Sequence, residues 1–183
     1  GRLNYSKYGV DLLTTNNDEV IKDRSNKLIN LNNKRKKIEE DILNEIDFEK
    51  IKRENKNIII YYKNHLNEGL IGIIASRLKD YFNKPSIVIT NSTNLLKGSA
   101  RSVNNYNIGK AIKNLLDKNI LLDGGGHSMA AGFTLKKESL NTFKRSIFLD
   151  YSKKSSIKEH FFSYDAEVSS YAFNKDFYTD IKK

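Results

Sequence analysis

The feature that most constrains the fold is a change in hydrophobic periodicity at Asn57. Before this residue, apolar side chains recur at helical spacing, and after it short β-branched runs alternate with helical stretches. The runs "NIIIYY" and "SIVIT" predict buried strands over 57–62 and 86–90, and the segment 69–82 between them predicts a helix. Further strands near 97–103 and 130–135 and helices over 108–116 and 137–151 follow in the same alternation. Residues 57–151 are therefore expected to form an α/β domain, a small mixed β-sheet with flanking helices.

The segment 19–56 predicts one long helix that precedes this domain. Its apolar residues share one helical face because they recur at steps of three, four and seven, and they are Ile21, Leu28, Leu31, Ile38, Ile42 and Ile46. Asp18 is the expected N-cap residue. A straight helix of this length spans roughly 50 Å, a length typical of a strut between two domains. The alternative is a helix that packs along one domain.

Both ends of the chain are expected to be incomplete structural units. The apolar stretch within residues 1–18 is too short to form a core, which indicates the end of a domain that lies upstream. Residues 152–183 begin with a polar connector and continue with a stretch rich in Phe and Tyr, which predicts the start of a second, small β domain.

Positive charge is concentrated in the α/β domain. The whole chain has a formal net charge of +10, and residues 57–150 contain thirteen basic and six acidic residues, a local net charge of +7. Clustered Lys and Arg favour a polyanionic partner, because binding releases counterions from phosphates. The alternative is a Lys-rich composition that raises the charge of every segment.

Two absences narrow the class of protein. The chain contains no cysteine, which excludes disulfides, thiolate zinc sites and thiol nucleophiles. No apolar run approaches the roughly 20 residues that a membrane helix needs, and the first residues lack a secretory signal. We therefore expect a cytoplasmic protein with no membrane contact. A monomer is the expected oligomeric state.

The strongest motif is the run Gly124, Gly125, Gly126 and His127. Three glycines after an apolar stretch predict a loop with positive φ angles, whose exposed N–H groups bind an anion. His127 can donate a hydrogen bond to a phosphate oxygen or carry a proton, so it is the candidate catalytic residue. The alternative is a glycine-rich turn followed by a solvent-facing histidine.

The second motif is "KGSARS", Lys97 to Ser102. Because side chains alternate along a strand, Ser99 and Arg101 should share one face while Gly98, Ala100 and Ser102 face the other. A hydroxyl and a guanidinium on one face can bind a terminal phosphate, with Lys97 and Ser102 as possible accessory contacts. The alternative is an exposed, solvated strand face.

A third segment, "NEGLIGIIASRL", places Gly69 near a helix N-terminus, where N–H groups can face an anion. Arg77 lies later in that helix and is a further possible accessory residue, although an ion pair or a packing role explains it equally well. The acidic residues of the domain are scattered, and His65 and His160 have no neighbours at metal-ligand spacing. The sequence therefore predicts phosphate binding without a metal site.

The three motifs, in this order, resemble the DHH-associated domain of RecJ exonucleases. The stretch "LNNKRKKIEEDI" is similar to the helix that links this domain to the catalytic DHH domain, and residues 1–18 are similar to the end of that DHH domain. The tail, 152–183, resembles the entry into the oligonucleotide-binding domain that follows. By this resemblance 19–56 is the linker helix and 57–151 is the substrate-binding domain.

RecJ enzymes degrade single-stranded DNA in the 5′→3′ direction with Mn²⁺ or Mg²⁺ held by Asp and His of the DHH domain. The resemblance implies that Ser99 and Arg101 bind the 5′-terminal phosphate. It also implies that Gly124 to Gly126 and His127 contact the DNA backbone near the scissile phosphate. Because the metal ligands of the family are absent from this sequence, the chain alone is expected to be inactive and to contribute DNA binding.

Two alternatives stay open at this point. Related phosphodiesterases with the same glycine–histidine motif act on cyclic dinucleotides or short oligonucleotides. A non-enzymatic nucleic-acid-binding module is the other possibility. Alanyl-tRNA editing proteins share a similar accessory domain, but their chemistry needs Cys ligands that this chain lacks.

Overall fold

The computed structural model describes residues 6–154 and 167–182. Three helices come first: α1 Ser6–Thr14, α2 Asp18–Asn44 and α3 Phe48–Glu54. The prediction of a single helix over 19–56 is therefore wrong, because the helix is interrupted between α2 and α3. Asp47 starts the new helix by accepting a hydrogen bond from the Lys50 N–H at 2.8 Å.

The N-cap of α2 also differs from the prediction by one residue. Asn17 caps the helix, and its Oδ1 accepts hydrogen bonds from the N–H groups of Glu19 at 3.0 Å and Val20 at 3.2 Å. Asp18 is instead the first helical residue, where its negative charge is favourable near the positive end of the helix dipole.

In the described part of the chain, five strands form one mixed sheet in the order β1-β2-β3-β5-β4. The strands are β1 Ile59–Tyr62, β2 Ser86–Ser92, β3 Leu95–Arg101, β4 Asp123–Gly126 and β5 Ala130–Leu135. β1 and β2 are parallel and are connected through helix α4 Ile71–Phe82, as the βαβ prediction requires. The other neighbours are antiparallel, so the prediction of an α/β fold with a mixed sheet is confirmed.

Each face of the sheet has its own hydrophobic core. Ile58, Ile87 and Ala100 face a core formed with helices α5 Ile108–Asp117 and α6 Leu140–Lys154. Ile59 and Val88, which alternate with them along the strands, face a second core with α4 and the end of α2. Helix α5 contacts β4 and β5, whereas the strand contacts of α4 are mainly with β2 and β3.

A buried carboxylate attaches α2 to this second layer. Glu39 is 5% exposed and accepts hydrogen bonds from Arg35 at 2.6 Å and Arg77 at 2.7 Å. Two cations on one carboxylate offset the cost of removing its charge from water. The long helix thus packs against the α/β domain at its C-terminal end, and its role as a linker between domains stays a prediction.

The C-terminal region differs from its prediction. Residues 167–182 contain a 3-10 turn at Ser170–Ala172 and helix α7 Lys175–Ile181, and no strand occurs among them. Asn174 caps α7 through the Phe177 N–H at 2.9 Å. Residues 155–166 lie outside the described residues, and the assignment of the two chain ends to neighbouring domains stays a prediction. Among the helices described, none is both long and apolar enough to span a bilayer.

Candidate functional site: a polar cavity beside an open sheet face

Ser99 and Arg101 lie on the α4 side of strand β3, as their alternation predicted. Arg101 Nη1 donates to the Ser99 hydroxyl oxygen at 3.1 Å and to the carbonyl of Ala100 at 2.8 Å. Both side chains are half-buried, whereas Gly98 and Ala100 are buried toward the other core. The hydroxyl and the guanidinium therefore form a preorganised pair.

This pair lies beneath the N-terminus of α4. The helix begins at Ile71, and its N-cap residue Leu70 provides no side-chain hydrogen bond. The first N–H groups of an α-helix carry partial positive charge, and in α4 the N–H of Ile73 already donates to the Leu70 carbonyl at 2.9 Å. Gly72 permits the close approach, because a Cβ at this position would lie 3.0 Å from Arg101 Nη2 and 3.2 Å from Ser99 Oγ.

The space between the helix and β3 is an open cavity of about 440 Å³, which we call the β3–α4 cavity. Its lining consists of backbone and polar groups from both elements: Glu68, Gly69, Ile71, Gly72, Ile73, Ser76, Arg77, Ser99 and Arg101. The cavity thus combines two guanidinium groups, two hydroxyls and a helix N-terminus with one carboxylate, that of Glu68, which Lys97 neutralises. The remaining groups are typical of an anion site.

The sequence predicted four accessory residues, and each has a different environment in the structure: Gly69, Lys97, Arg77 and Ser102. Gly69 lines the cavity, and its N–H donates to Asn67 Oδ1 at 2.8 Å. Lys97 lies on the same face of β3 as Ser99 and pairs with Glu68 at 2.6 Å. This hydrogen bond from Lys97, together with one from Ser92, holds the pKa of the Glu68 carboxyl below its usual value.

Arg77 forms the ion pair that was one of the interpretations considered for it. Its Nε is bound by Glu39, which raises the pKa of the guanidinium, and its side chain also lines the cavity. Ser102, by contrast, is 1% exposed, and its hydroxyl donates to the Tyr106 carbonyl at 2.5 Å. A direct contact of Ser102 with a ligand is not compatible with this burial, so the structure assigns it a supporting role.

The glycine triplet is a strand rather than the predicted loop. Gly124, Gly125 and Gly126 belong to β4, and no glycine in the described residues has a positive φ angle. Steric contact explains two of the three glycines. A Cβ on Gly126 would lie 2.3 Å from the Ala130 carbonyl oxygen, and a Cβ on Gly124 would lie 3.0 Å from Ile112 Cγ2.

Gly125 has no such constraint, since a Cβ there would meet nothing within 4 Å. It pairs with Gly132 in β5, and Gly132 pairs with Ser99 in β3, so the three residues form one row across the sheet. Residues paired across strands point to the same face. Because Gly125 and Gly132 are both exposed, they form an open floor without side chains beside the Ser99–Arg101 pair.

His127 lies in the turn between β4 and β5, and its side chain is exposed. Its backbone is held on two sides. Its N–H donates to the Ala130 carbonyl at 2.8 Å, and its carbonyl accepts from the Gly109 N–H of α5 at 3.1 Å. His127 is not among the residues that line the β3–α4 cavity, and it follows Gly125 by two residues along the chain.

The described residues do not form a binding site for a catalytic metal ion. Among them, no group of three or more His, Asp or Glu side chains is placed to hold an ion. Glu39, the most buried carboxylate, is already bound by two arginines.

Two contributors to the cavity were not expected from the sequence. Ser76 lies one turn after Gly72 on the same face of α4, so helical spacing could have indicated it. The second contributor is Glu68. Its pairing with Lys97 depends on the packing of α4 against β3, which no local pattern reveals.

Comparison with known protein families identifies the class to which this fold belongs. Residues 55–149 match the model of the DHHA1 domain, and the chain belongs to this family. It is similar to the single-stranded-DNA-specific exonuclease RecJ of Escherichia coli (strain K12), with 33% identity over 79% of this chain and 26% of that protein. The RecJ of Bacillus subtilis (strain 168) is 33% identical over 76% of this chain and 18% of the relative.

A solved structure has the same fold. The crystal structure of RecJ in complex with Mg²⁺ from Thermus thermophilus superposes with a TM-score of 0.70 and 24% identity, over 83% of this chain and 23% of that chain. The chain thus spans about a quarter of the length of the relatives that it matches.

Proposed function

We propose that this chain forms the substrate-binding part of a RecJ-type exonuclease that degrades single-stranded DNA from the 5′ end. The observation that carries the proposal is the convergence of Ser99, Arg101 and the N-terminus of α4 on one cavity. A terminal phosphate carries about 1.5 to 2 negative charges near pH 7, whereas each internal phosphodiester carries one. The cavity therefore favours the end of a strand over its interior.

The open sheet face supports the path of the DNA backbone in this proposal. A strand whose terminal phosphate occupies the β3–α4 cavity can pass over Gly132 and Gly125 without meeting a Cβ. The path continues toward His127, whose imidazole donates a hydrogen bond or a proton to the scissile phosphate. The backbone hydrogen bonds of the hairpin hold His127 in place for this role.

In the complete enzyme, a bound divalent metal, Mn²⁺ or Mg²⁺, would lower the pKa of the attacking water. We assign it to the DHH domain, because the described residues of this chain do not fit it. The chain alone binds DNA and does not hydrolyse it.

Binding of matched oligonucleotides tests the proposal. We expect the chain to bind a 5′-phosphorylated oligo-dT about tenfold more tightly than its 5′-hydroxyl form, since hydrogen bonds to a charged group contribute about 1.5–3 kcal/mol. Arg101→Ala should abolish the preference. Arg145→Ala is the matched control, because it removes the same charge from an exposed site on α6. Equal affinities of the unaltered chain for the two oligonucleotides would contradict the binding of the 5′-terminal phosphate by Ser99 and Arg101.

Cleavage tests the role of His127 in a chain that includes a DHH domain. We expect His127→Ala to slow cleavage by about 10²-fold, a typical contribution of general acid–base catalysis, with end binding unchanged. An unaltered rate would leave His127 as a solvent-facing turn residue. Efficient hydrolysis of cyclic dinucleotides by the same enzyme would favour the alternative phosphodiesterase function.

A further inference from the structure

The second guanidinium of the β3–α4 cavity, that of Arg77, is held from outside the cavity. Its Nε donates to Glu39 Oε1 at 2.7 Å, and Glu39 belongs to α2 rather than to α4 or β3. The other guanidinium, that of Arg101, donates to groups of its own strand, Ser99 and the Ala100 carbonyl. The two cations of the cavity are therefore positioned by different parts of the molecule.

The Arg77–Glu39 pair extends from the protein interior to the open cavity. The Glu39 side chain is 7% exposed, whereas that of Arg77 is 58% exposed and lines the cavity. The hydrogen bond to Glu39 engages Nε, and a guanidinium carries its remaining N–H donors on the two terminal nitrogens. A carboxylate that holds Nε from the buried side leaves these terminal donors for a second acceptor in the cavity.

Stability alone does not explain a carboxylate at this buried position. Removing an ionised carboxylate from water is costly, and the attraction of its partners does little more than offset that cost. Apolar side chains of similar volume often replace buried ion pairs without loss of stability. The second core, to which Ile38 and Ile42 of the same helix belong, lies beside Glu39 and suits such a replacement. The charge of Glu39 therefore has a use that packing does not provide.

The charges of this cluster leave one positive charge for a ligand. Arg35, one turn earlier in α2, donates to the other oxygen of Glu39 at 2.6 Å. Two guanidiniums and one carboxylate give a net charge of 2 − 1 = +1. Because Arg35 neutralises the carboxylate, Glu39 holds Arg77 without cancelling its attraction for an anion. Together with Arg101, the cavity presents about two positive charges, which match a dianionic phosphate monoester.

We infer that Glu39 is a positioning residue, which holds Arg77 so that its terminal N–H groups complete the binding of a phosphate monoester in the β3–α4 cavity. The inference rests on the proposed function and deepens it. An arginine that is held in place in advance loses less side-chain entropy when the ligand binds. A monoester has three terminal oxygens and up to two charges, whereas an internal diester has two such oxygens and one charge. The additional guanidinium thus favours the end of a strand.

The test compares two oligo-dT strands that differ at the 5′ end: a phosphate monoester and its methyl ester, which has the single charge of an internal diester. We expect the 183-residue chain to bind the monoester about fivefold more tightly. Glu39→Gln should reduce this ratio to less than about twofold, because an amide has only one acceptor oxygen for the two arginines. Glu40→Gln is the matched control, since it removes the same charge from the exposed neighbour on α2, and it should leave the ratio unchanged.

The sign of the effect separates positioning from the other roles of a carboxylate. If Glu39 only reduced the positive potential of the cavity, Glu39→Gln would raise the ratio, because a negative charge is removed. If Glu39 only stabilised the fold, the ratio would stay the same while the free energy of unfolding fell. Either result would overturn the inference.

A second variant does not depend on how well the buried position tolerates a substitution. Arg77→Met removes the guanidinium from an exposed site and should lower the ratio as much as Glu39→Gln does. Lys79→Met is its control on the same helix, because Lys79 does not line the cavity. Since Glu39 acts through Arg77, Glu39→Gln should cause no further loss in the Arg77→Met chain. An unchanged ratio in Arg77→Met, or an additional loss in the double variant, would overturn the inference.

Failure of this inference and failure of the proposed function give different results. If the unaltered chain prefers a 5′-phosphate to a 5′-hydroxyl and Arg101→Ala abolishes that preference, the proposed function is supported. Unchanged monoester ratios in the Glu39 and Arg77 variants would then overturn the inference alone. If the unaltered chain shows no preference for a 5′-phosphate, both are wrong.

Discussion

The two faces of the sheet use glycine for different reasons. On the α5–α6 face, Gly98 is required by packing, because an added Cβ would lie 2.1 Å from the Phe133 ring. Gly126 is exposed but is required by the adjacent strand, because an added Cβ would lie 2.3 Å from the Ala130 carbonyl oxygen. On the opposite face, Gly125 and Gly132 border a surface that the described residues leave uncovered, and a Cβ there would have no contact closer than 3.9 Å. The comparison teaches that glycine on the closed face serves the fold, whereas glycine on the open face is available to a ligand.

The largest expected effect is on the closed face. We predict that Gly126→Ala lowers the free energy of unfolding by about 3 kcal/mol, because the new methyl group overlaps backbone atoms that cannot move cheaply. Gly125→Ala, one residue earlier in the same strand, should change it by less than about 0.5 kcal/mol. Chemical denaturation of both variants checks the prediction. Similar losses would remove the distinction between the two faces.

A substitution on the open face should weaken DNA binding without lowering stability. Gly125→Val places a β-branched side chain on an exposed strand position, so we expect stability to be unchanged or slightly higher. Binding of a 5′-phosphorylated oligonucleotide should weaken about tenfold, or roughly 1.4 kcal/mol, because the side chain occupies the floor on which the DNA backbone lies. Fluorescence anisotropy measures this affinity. Unchanged binding would show that the DNA does not cross this row.

A smaller effect is expected from a buried hydroxyl on the closed face. Tyr106 is 2% exposed and donates to Asp150 at 2.9 Å, and burial together with that carboxylate raises the pKa of the phenol well above its usual value. Tyr106→Phe should cost about 1 kcal/mol of unfolding free energy. Tyr178→Phe, at an exposed tyrosine of α7, is the control and should be neutral. A neutral result for both would mean that this hydrogen bond is not needed to hold α6.

The smallest effect concerns the Lys97–Glu68 pair beside the open face. The pKa of Glu68 is lowered in the folded chain, so the pair stabilises the fold above the unfolded pKa of this carboxyl. The contribution is lost as the pH falls through the lower, folded value. Because both side chains are exposed by more than a third, we expect less than about 0.5 kcal/mol. Unfolding of the unaltered chain and of Glu68→Gln between pH 7 and pH 3 should therefore differ at neutral pH and converge in acid.

The sequence predicted those elements whose side chains carry a periodic pattern. The expected strand over 130–135 coincides with β5, and the helices α4 and α5 differ from their predictions by only a few residues. β4 was missed because three consecutive glycines have no side chains that could alternate. The break after α2 was missed because Ile42 and Ile46, both buried, continue the apolar pattern across it.

The candidate site was predictable only for residues whose relative positions are set by alternation along a single strand. Alternation along β3 placed Ser99 and Arg101 together, and this prediction is supported by their hydrogen bond. The contact of Gly72 with that pair depends on which helix packs on which strand, which is a property of the tertiary fold. The same reason explains why the ion pair of Glu68 with Lys97 was not predicted.

The firmly held backbone of the β4–β5 turn has a practical consequence for spectroscopy. His127 is fixed by hydrogen bonds from neighbouring elements, while its side chain is exposed. Since the chain contains no cysteine, His127→Cys would create a single thiol on a rigid support. A fluorophore or spin label attached there would report distances to a labelled DNA end without a background signal from any other site.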